Sequence, residues 1–464
     1  MMKIYNTITR KKDIISAEKG KQINMFVCGP TVYDFSHLGH ARTYLVFDAF
    51  AKYLKQEGFV VFYLQNITDI DDKIIAQAKE KGITPSKLAL DFEKEYLRDM
   101  KEIKINSVDK YAKATEHIKE IISQIEKLLN NGYAYKTGDG VYYDIVKFKN
   151  YGRLSNRTAL RTQDAVSRID ETKTKKNKGD FCLWKLSKPE EPEWESPFGK
   201  GRPGWHIEDT AIVEKYFGPQ YSIHGGSRDL IFPHHEAEIA QMEAISGKRP
   251  MAKYWLHTGF LTIEGRKMAK SLGNFITVRD FLQKYSPEVL RFLVLKVLWR
   301  SPIDYSEKSA EEAKAGLEKI HEFLDRLSGI KITKTDGEGT GQRILEKNKA
   351  DFYRFLDDDF NTPKAISSIF KIIKEINKLI DKNLISRDWV IAIISFFQEA
   401  NKIFGILGKN KKFPVPSPVK KLSAEREKFR KEKKWREADN IRKKIEALGW
   451  KIEDTDKGAV LTRK

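Results

Sequence analysis

Apolar positions change their period several times along the chain, and those changes divide it. Met25–Cys28 is a continuous apolar run that predicts a buried strand. Ala41–Gly58 has helical period, with Leu45, Ala49, Tyr53 and Leu54 on one face and Gly58 as its stop. Phe59–Leu64 (FVVFYL) is again continuous, as in a strand buried on both faces of a parallel sheet. Strand, helix, strand is half of a doubly wound α/β fold, with Asn66–Lys73 (NITDIDDK) at the carboxyl end of the second strand. From about Ile74 to Asn131 the pattern is helical. Tyr142 to about Trp205 holds short strands, a basic loop (Thr172–Lys178) and the stretch PEEPEWESPFGKGRPGW, and reads as an insertion splitting the fold. The second half resumes with helix-like Ile207–Phe217, a strand Tyr221–Gly226, a helix to about Ser246 and a strand-like run Trp255–Ile263.

Beyond Ser286 the pattern is almost entirely helical. Ser309 and Glu312 have capping-box spacing, and Leu317, Ile320, Leu324 and Leu327 form an apolar stripe. Ile330–Gln342, with three glycines, reads as a linker. Thr362-Pro363 starts a helix carrying Ile366, Ile369, Phe370 and Ile373, and Val390–Leu407 is another. Phe413–Pro418 (FPVPSP) reads as a stiff connector, Leu422–Leu448 as a basic helical segment and Trp450–Leu461 as a small hairpin.

At 464 residues the chain is too long for one core and predicts three or more domains. No run of about 18 apolar residues predicts a membrane span. The start, MMKIYNTITRKKDII, lacks the apolar region of a signal peptide, so the cytoplasm is the expected location. Lys and Arg outnumber Asp and Glu by 85 to 65. That excess points to a polyanion such as nucleic acid, or to a lysine-rich solvated surface. Two cysteines, Cys28 and Cys182, are too few for a disulfide framework.

Four constellations carry candidate chemistry. His37-Leu-Gly-His40 lies at a strand-to-helix junction, where anions bind, and Lys267-Met-Ala-Lys270-Ser sits in a basic loop bounded by glycines. Fixed donors there suit attack on an α-phosphate, where negative charge grows on the phosphoryl oxygens. Cys28, Asp209, His234 and Glu238 offer thiolate, imidazole and carboxylate donors, a set zinc accepts, or else a structural cysteine beside an unrelated His/Glu pair. His234 and Glu238 share one helix face, and His235 is expected to point elsewhere. Gly225-Gly226 with Asp229 suits either the approach of an adenosine or a tight turn. Lys420–Arg442 interleaves basic residues with Phe429 and Trp435, as in a base-stacking surface or a solvated helix.

FVCGPTVYDFSHLGHART resembles the HIGH-motif segment of the cysteinyl-tRNA synthetases, class I aminoacyl-tRNA synthetases, and GRKMAKSLGN resembles their KMSKS loop. NITDIDDKI, RPGWHIE, DLIFPHHEAEIAQ and DDDFNTP are similar to other signatures of the family, along nearly the whole chain. The resemblance implies an α/β split Rossmann catalytic domain, residues 1–115 and 204–262, around a connective insertion at 116–203. It implies a KMSKS-type loop and stem-contact region at 263–305, an α-helical anticodon-binding bundle at 306–412 and a small basic C-terminal α+β domain at 413–464. His37, His40, Lys267 and Lys270 are then catalytic, and His37, His40, Asp229 and Lys270 bind ATP. Gly29, Thr31, Thr68 and Trp205 line the amino-acid pocket, and Cys28, Asp209, His234 and Glu238 hold one Zn²⁺. Mg²⁺ accompanies ATP, and the implied partners are ATP, L-cysteine and tRNA-Cys, with no membrane and a monomeric state.

Three departures from the family pattern stand out. The loop reads KMAKS, the C-terminal end (DTDKGAVLTRK) lacks a tryptophan often seen after its glycine, and Asp209 stands where a cysteine is common. Aspartate still ligates zinc through oxygen but makes the site harder. Two other readings share the core: a ligase joining cysteine to a small amino sugar, and an RNA-binding paralogue without activity. The basic helical half argues against the first, and intact HLGH and KMAKS against the second.

Overall fold

Five strands satisfy their buried apolar runs by pairing in parallel: β1 (Gln22–Val27), β2 (Val60–Ile67), β3 (Lys110–Lys113), β4 (Tyr221–Ser227) and β5 (Ala252–Thr258). The computed structural model describes residues 2–16, 20–157, 174–268, 273–330, 339–408, 417–448, 450–455 and 458–463. Strand order is β5-β4-β1-β2-β3, so the chain builds outward on one side of β1 and returns to build the other. The order therefore reverses between β1 and β4, where open α/β sheets form their crevice. Met25, Phe26 and Val27 are fully buried against Ile223, His224 and Gly225.

The segment read as continuously helical is three helices, Asp72–Lys81, Pro85–Glu102 and Ile118–Asn130, with β3 between the last two. Gly82 in the left-handed region ends the first, and Thr84 caps the next. β3 (KYAK) is short and half polar; its extended form comes from pairing with the end of β2, not from its own pattern. The insertion carries an antiparallel four-stranded sheet of Ala134–Lys136, Gly140–Tyr143, Phe181–Leu186 and Gly201–Pro203.

Trp255–Ile263 is not one strand. The chain breaks at Gly259, where a Cβ would lie 2.4 Å from the Ser301 carbonyl oxygen. Leu261–Ile263 then joins a second sheet with Arg266–Lys267 and Ile303–Tyr305. Helix α1, Leu38–Gln56, begins before the expected Ala41, because His37 is its N-cap.

Helices Glu307–Ser328, Thr340–Asp357, Thr362–Asp381 and Arg387–Phe404 follow. The first is capped one residue triplet earlier than expected: Ser306 and Ser309 cap reciprocally, not Ser309 and Glu312. Thr340–Gln342, read as linker, is already helix, and 331–338 lie outside the described residues. Among the described residues no helix is long and apolar enough to cross a membrane.

The chain divides into two units, Met1–Ile406 and Leu407–Lys464. In the second, the expected single basic helix is two, Ser417–Lys431 and Trp435–Ala447, parted where Lys433 takes a positive φ. They pack with the hairpin Trp450–Thr455/Gly458–Arg463 around Ile441, Ile445, Trp450 and Ile452. Phe429 lies against that core, whereas Trp435 is 58% exposed. The FPVPSP connector falls mostly outside the described residues.

One buried ion pair ties α1 to the helices after it. Arg291 donates to Asp48 of α1 (2.8 Å), to the Ile103 and Lys104 carbonyls and to Phe404 at the end of the last bundle helix. Burial opposes the charge on Asp48, but Arg291 and Lys52 outweigh it and hold its carboxyl below the usual range. Arg291→Met removes one of the two cations paired with buried Asp48, leaving Lys52, and is expected to lower stability by about 3–5 kcal/mol, read from the urea midpoint. The Asp48 contribution is present above its unfolded pKa of about 4 and is lost as pH falls through the lower folded value, so the difference between variant and wild type should shrink there.

Candidate functional site

The HLGH segment is not ahead of α1 but is its cap and first turn. His37 Nδ1 accepts the backbone N–H of Gly39 (3.0 Å) and His40 (3.3 Å). A ring nitrogen that accepts carries no proton, so neutral His37 has its proton on Nε2, the atom left free to donate outward. The rings of His37 and His40 stack at 3.7 Å. Gly39 is required here, since a Cβ would lie 2.8 Å from the His37 ring. Burial pushes His37 down to about 4 against the opposing charge of Asp229. Burial, then His37 and Lys73, push His40 well below the ordinary histidine value. Both rings are therefore neutral donors at pH 7. Asp229 itself accepts from the Ser227 hydroxyl at the end of β4.

The segment following the KMAKS loop is pinned to the same place. Leu38 N–H donates to the Ile276 carbonyl (3.1 Å) and Val278 N–H to that of Ser36 (2.8 Å). On the other side, Asp304 accepts from Gly265 N–H and Thr262 Oγ1, each at 2.7 Å, fixing the turn that leads to Lys267. The Lys267 backbone pairs with Thr262. Its side chain, and the whole of Lys270, lie outside the described residues.

Cys28 leaves the end of β1, its N–H bonded to the Gly225 carbonyl of β4 (3.0 Å). Asp209 comes from α2 (Trp205–Phe217), and His234 and Glu238 come from α3 (His234–Ser246). His234 Nε2 lies 3.0 Å from Asp209 Oδ2 and 3.1 Å from Glu238 Oε1; Cys28 Sγ lies 3.5 Å from Asp209 and 3.9 Å from Glu238. These four donors converge, and all are buried.

Two further ligating groups reach the same thiol. His235 Nε2 is 3.1 Å and His224 Nε2 3.6 Å from Cys28 Sγ, so His235 does not point elsewhere as its helix position suggested. The room it needs is made by Gly226, whose Cβ would stand 2.9 Å from the His235 ring. Gly225 likewise leaves space for Phe47 of α1, at 2.4 Å. On the side where a Cβ would project, the paired glycines leave room for protein side chains. Each histidine has a partner behind it: His206 for His234 (2.7 Å), Tyr221 for His224 (2.5 Å) and His257 for His235 (2.8 Å). Such partners fix ring orientation in metal sites. The signal in the sequence for His224 was a polar residue inside an otherwise buried strand.

Burial and neighbouring acidic groups set the electrostatics of the cluster. Burial, then Glu238 and Asp209, push the Cys28 thiol up. Burial, then Asp209, push Glu238 and Glu208 up. Asp209 Oδ1 is buried with no hydrogen-bond partner. A divalent ion inverts each of these penalties, and thiolate, imidazole and two carboxylates are ligands zinc accepts.

The residues expected at the amino-acid pocket border this cluster. Trp205 stacks on His234 with centroids 4.1 Å apart. Gly29 N–H donates to Asn66 Oδ1 (2.5 Å), Thr31 bridges to Thr68, and the Thr68 hydroxyl donates to Glu208.

Comparison with known proteins follows the same lines. Residues 14–315 match the tRNA synthetases class I (C) catalytic domain, and residues 351–408 match the DALR domain. The chain is 44% identical over 478 residues to the cysteine–tRNA ligase of Methanococcus maripaludis strain C7, covering 100% of this chain and 99% of that protein. It is 42% identical over 476 residues to that of Thermococcus onnurineus strain NA1, with the same coverage. Among solved structures, Mycobacterium tuberculosis methionyl-tRNA synthetase with methionyl-adenylate has a TM-score of 0.59 at 14% identity, covering 82% of this chain and 89% of that one. The Agrobacterium radiobacter K84 agnB2 LeuRS-tRNA-LeuAMS complex has 0.61 at 11%, covering 86% of each. At these identities the structures speak for the fold alone.

The cap geometry sets an observable state. In histidine-selective ¹⁵N spectra His37 is expected as the Nε2–H tautomer, without titrating between about pH 5.5 and 8. A protonation step near the ordinary histidine pKa of about 6.5 would contradict this.

Proposed function

The chain belongs to the cysteine–tRNA ligase family, and from that premise we propose that it activates L-cysteine with ATP and transfers the cysteinyl group to the terminal ribose of tRNA-Cys. What supports this most is that the Cys28 cluster and the His37/His40 cap leave the end of the same strand, one suited to a thiol and the other to a phosphate.

In the first step a cysteine carboxylate oxygen attacks the α-phosphorus of ATP. The new P–O bond forms as the bond to the β-phosphate bridging oxygen breaks, and pyrophosphate leaves. Charge grows on the phosphoryl oxygens, where the neutral Nε2–H of His37 and the imidazole of His40 donate. Neither ring has to lose a proton, so their role is charge stabilisation and not acid–base exchange. Lys267 and Lys270 add positive charge, and Mg²⁺ enters with ATP as part of the substrate. In the second step a ribose hydroxyl at the tRNA end, the 2′ by class I habit, attacks the carbonyl carbon and AMP departs. No protein nucleophile is needed; holding the reactants together supplies much of the rate.

Cys28, Asp209, His234 and Glu238 would hold Zn²⁺, with Glu238 and Asp209 flanking His234. The ion, when bound, supplies a soft Lewis acid that prefers a thiolate to a hydroxyl and so separates cysteine from serine. Trp205, stacked on His234, and Thr31 then enclose the amino acid.

Purified protein should show cysteine-dependent pyrophosphate exchange and should charge a tRNA-Cys transcript; absence of exchange would end this reading. His37→Ala is expected to slow exchange by about 10²–10³-fold, the usual effect of losing one preorganised donor, and a defect confined to the transfer step would count against its role. For the metal, elemental analysis is expected to find about one zinc per chain in wild type, far less in Asp209→Ala, and full content in Asp209→Cys. Unchanged zinc in Asp209→Ala would exclude ligation by Asp209.

A further inference from the structure

Asp99 is a fully buried carboxylate that neither the metal cluster nor the histidine cap uses. It lies on the helix Pro85–Glu102, and its spacing from Glu95 and Phe92 puts all three on one face. The side chain that answers this face is Arg279, from the short helix Val278–Lys284. Arg279 Nε donates to Asp99 Oδ1 (2.9 Å), and Arg279 Nη2 donates to Glu95. Its guanidinium also lies over the Phe35 ring, 4.4 Å from the centroid, and Phe35 meets Phe92 edge-on at 5.3 Å. Among the described residues no other cation pairs with either carboxylate.

These contacts lie at the end of a very short antiparallel ribbon. Val278 N–H donates to the Ser36 carbonyl (2.8 Å), Leu38 N–H donates to that of Ile276 (3.1 Å), and His37 faces Thr277 between them. The Phe275 ring meets the His37 ring edge-on at 5.4 Å. One step further in the same register, Phe35 stands opposite Arg279, which is where the guanidinium stacks. Two backbone hydrogen bonds do not hold a ribbon in one shape by themselves. What holds this one is the packing on it, and Arg279 joins both of its strands to the rigid helix behind. A planar guanidinium suits that task, because it bridges two carboxylates and stacks on an aromatic ring at once. A lysine ammonium has no such fork.

We propose that Arg279 is a positioning residue for the adenylation step: anchored on Glu95 and Asp99 and stacked on Phe35, it fixes the ribbon that carries His37. It thereby sets where the His37 Nε2 donor stands relative to the chain that leaves the KMAKS loop. The proposal rests on the proposed function, in which His37 donates to the α-phosphate. A donor aimed at growing charge loses most of its effect when displaced by a fraction of its own hydrogen-bond length. The Cys28 cluster is built from β1, α2 and α3, none of which Arg279 contacts in these bonds, so cysteine binding and the metal are independent of it.

The test is pyrophosphate exchange with ATP and cysteine varied separately, and single-turnover transfer from preformed adenylate to tRNA. Arg279→Leu should lower kcat for exchange by about 10²-fold, the effect of misplacing a catalytic group by about 1 Å. KM for cysteine and the transfer rate should stay within about threefold of wild type, with zinc content retained. Arg279→Leu also leaves Asp99 buried without its cation, which costs stability. The double variant Arg279→Leu/Asp99→Asn removes that charge, so it should regain stability in urea while exchange stays low. Recovery of exchange together with stability would show a merely structural role and overturn the proposal. Unchanged exchange in Arg279→Leu, or an equal loss in transfer, would overturn it as well. If the single variant does not fold, the double variant decides by the same comparison. Lack of exchange in wild type would instead remove the function on which the proposal rests.

Discussion

The seam between β1 and β4 is the constraint on which the rest depends. Three residue pairs, Met25 with Ile223, Phe26 with His224 and Val27 with Gly225, join strands that the whole insertion separates in sequence. Closing so long a loop is entropically unfavourable, and the return comes only when the fully buried face of both strands is covered. Once the seam forms, the Cys28 N–H finds the Gly225 carbonyl, and the thiol is carried to α2 and α3. The cluster is thus a product of the topology: Cys28 comes from β1 and Asp209, His234 and Glu238 from the two helices that flank β4 in sequence.

Much of this was legible in the sequence, for identifiable reasons. β1, β2 and β4 are continuous apolar runs, and the HLGH, KMAKS and Cys/His/Glu residues carry recognisable spacings. What escaped was set by tertiary contact. β3 is extended because β2 offers it a ladder, and KYAK alone says little. His235 looked misdirected because adjacent helix residues diverge, yet glycine at 226 lets the ring turn to the thiol. Glu208 drew no notice beside Asp209, since one residue of separation does not reveal which carboxylate faces the ligands. The paired glycines of β4 were visible, but which atoms fill the space they leave was not.

The interior around Cys28 is unusually rich in groups that pay a penalty for being there. Cys28, Glu208, Glu238, His224 and His235 share one buried region, and burial drives each of these five away from its charged form. Clusters of this sort are more often functional than structural. The apolar packing of Phe26, Ile223 and Trp255 around them provides the stability that the cluster itself withholds.

The cap at α1 bears on how this chain tolerates drift. His37 serves two masters: its Nδ1 starts the helix, and on the proposed function its Nε2 donates to the phosphate. Serine, threonine and asparagine also start helices well, and each still carries a donor. Leucine or phenylalanine does neither. His40, inside the first turn with Nδ1 unpartnered, bears only the second duty. On the proposed function, position 37 therefore needs one group that caps the helix and also reaches the phosphate, whereas position 40, beside the ring of Tyr44, needs only a donor. Two histidines that look equivalent in the sequence accordingly have different sets of permitted replacements.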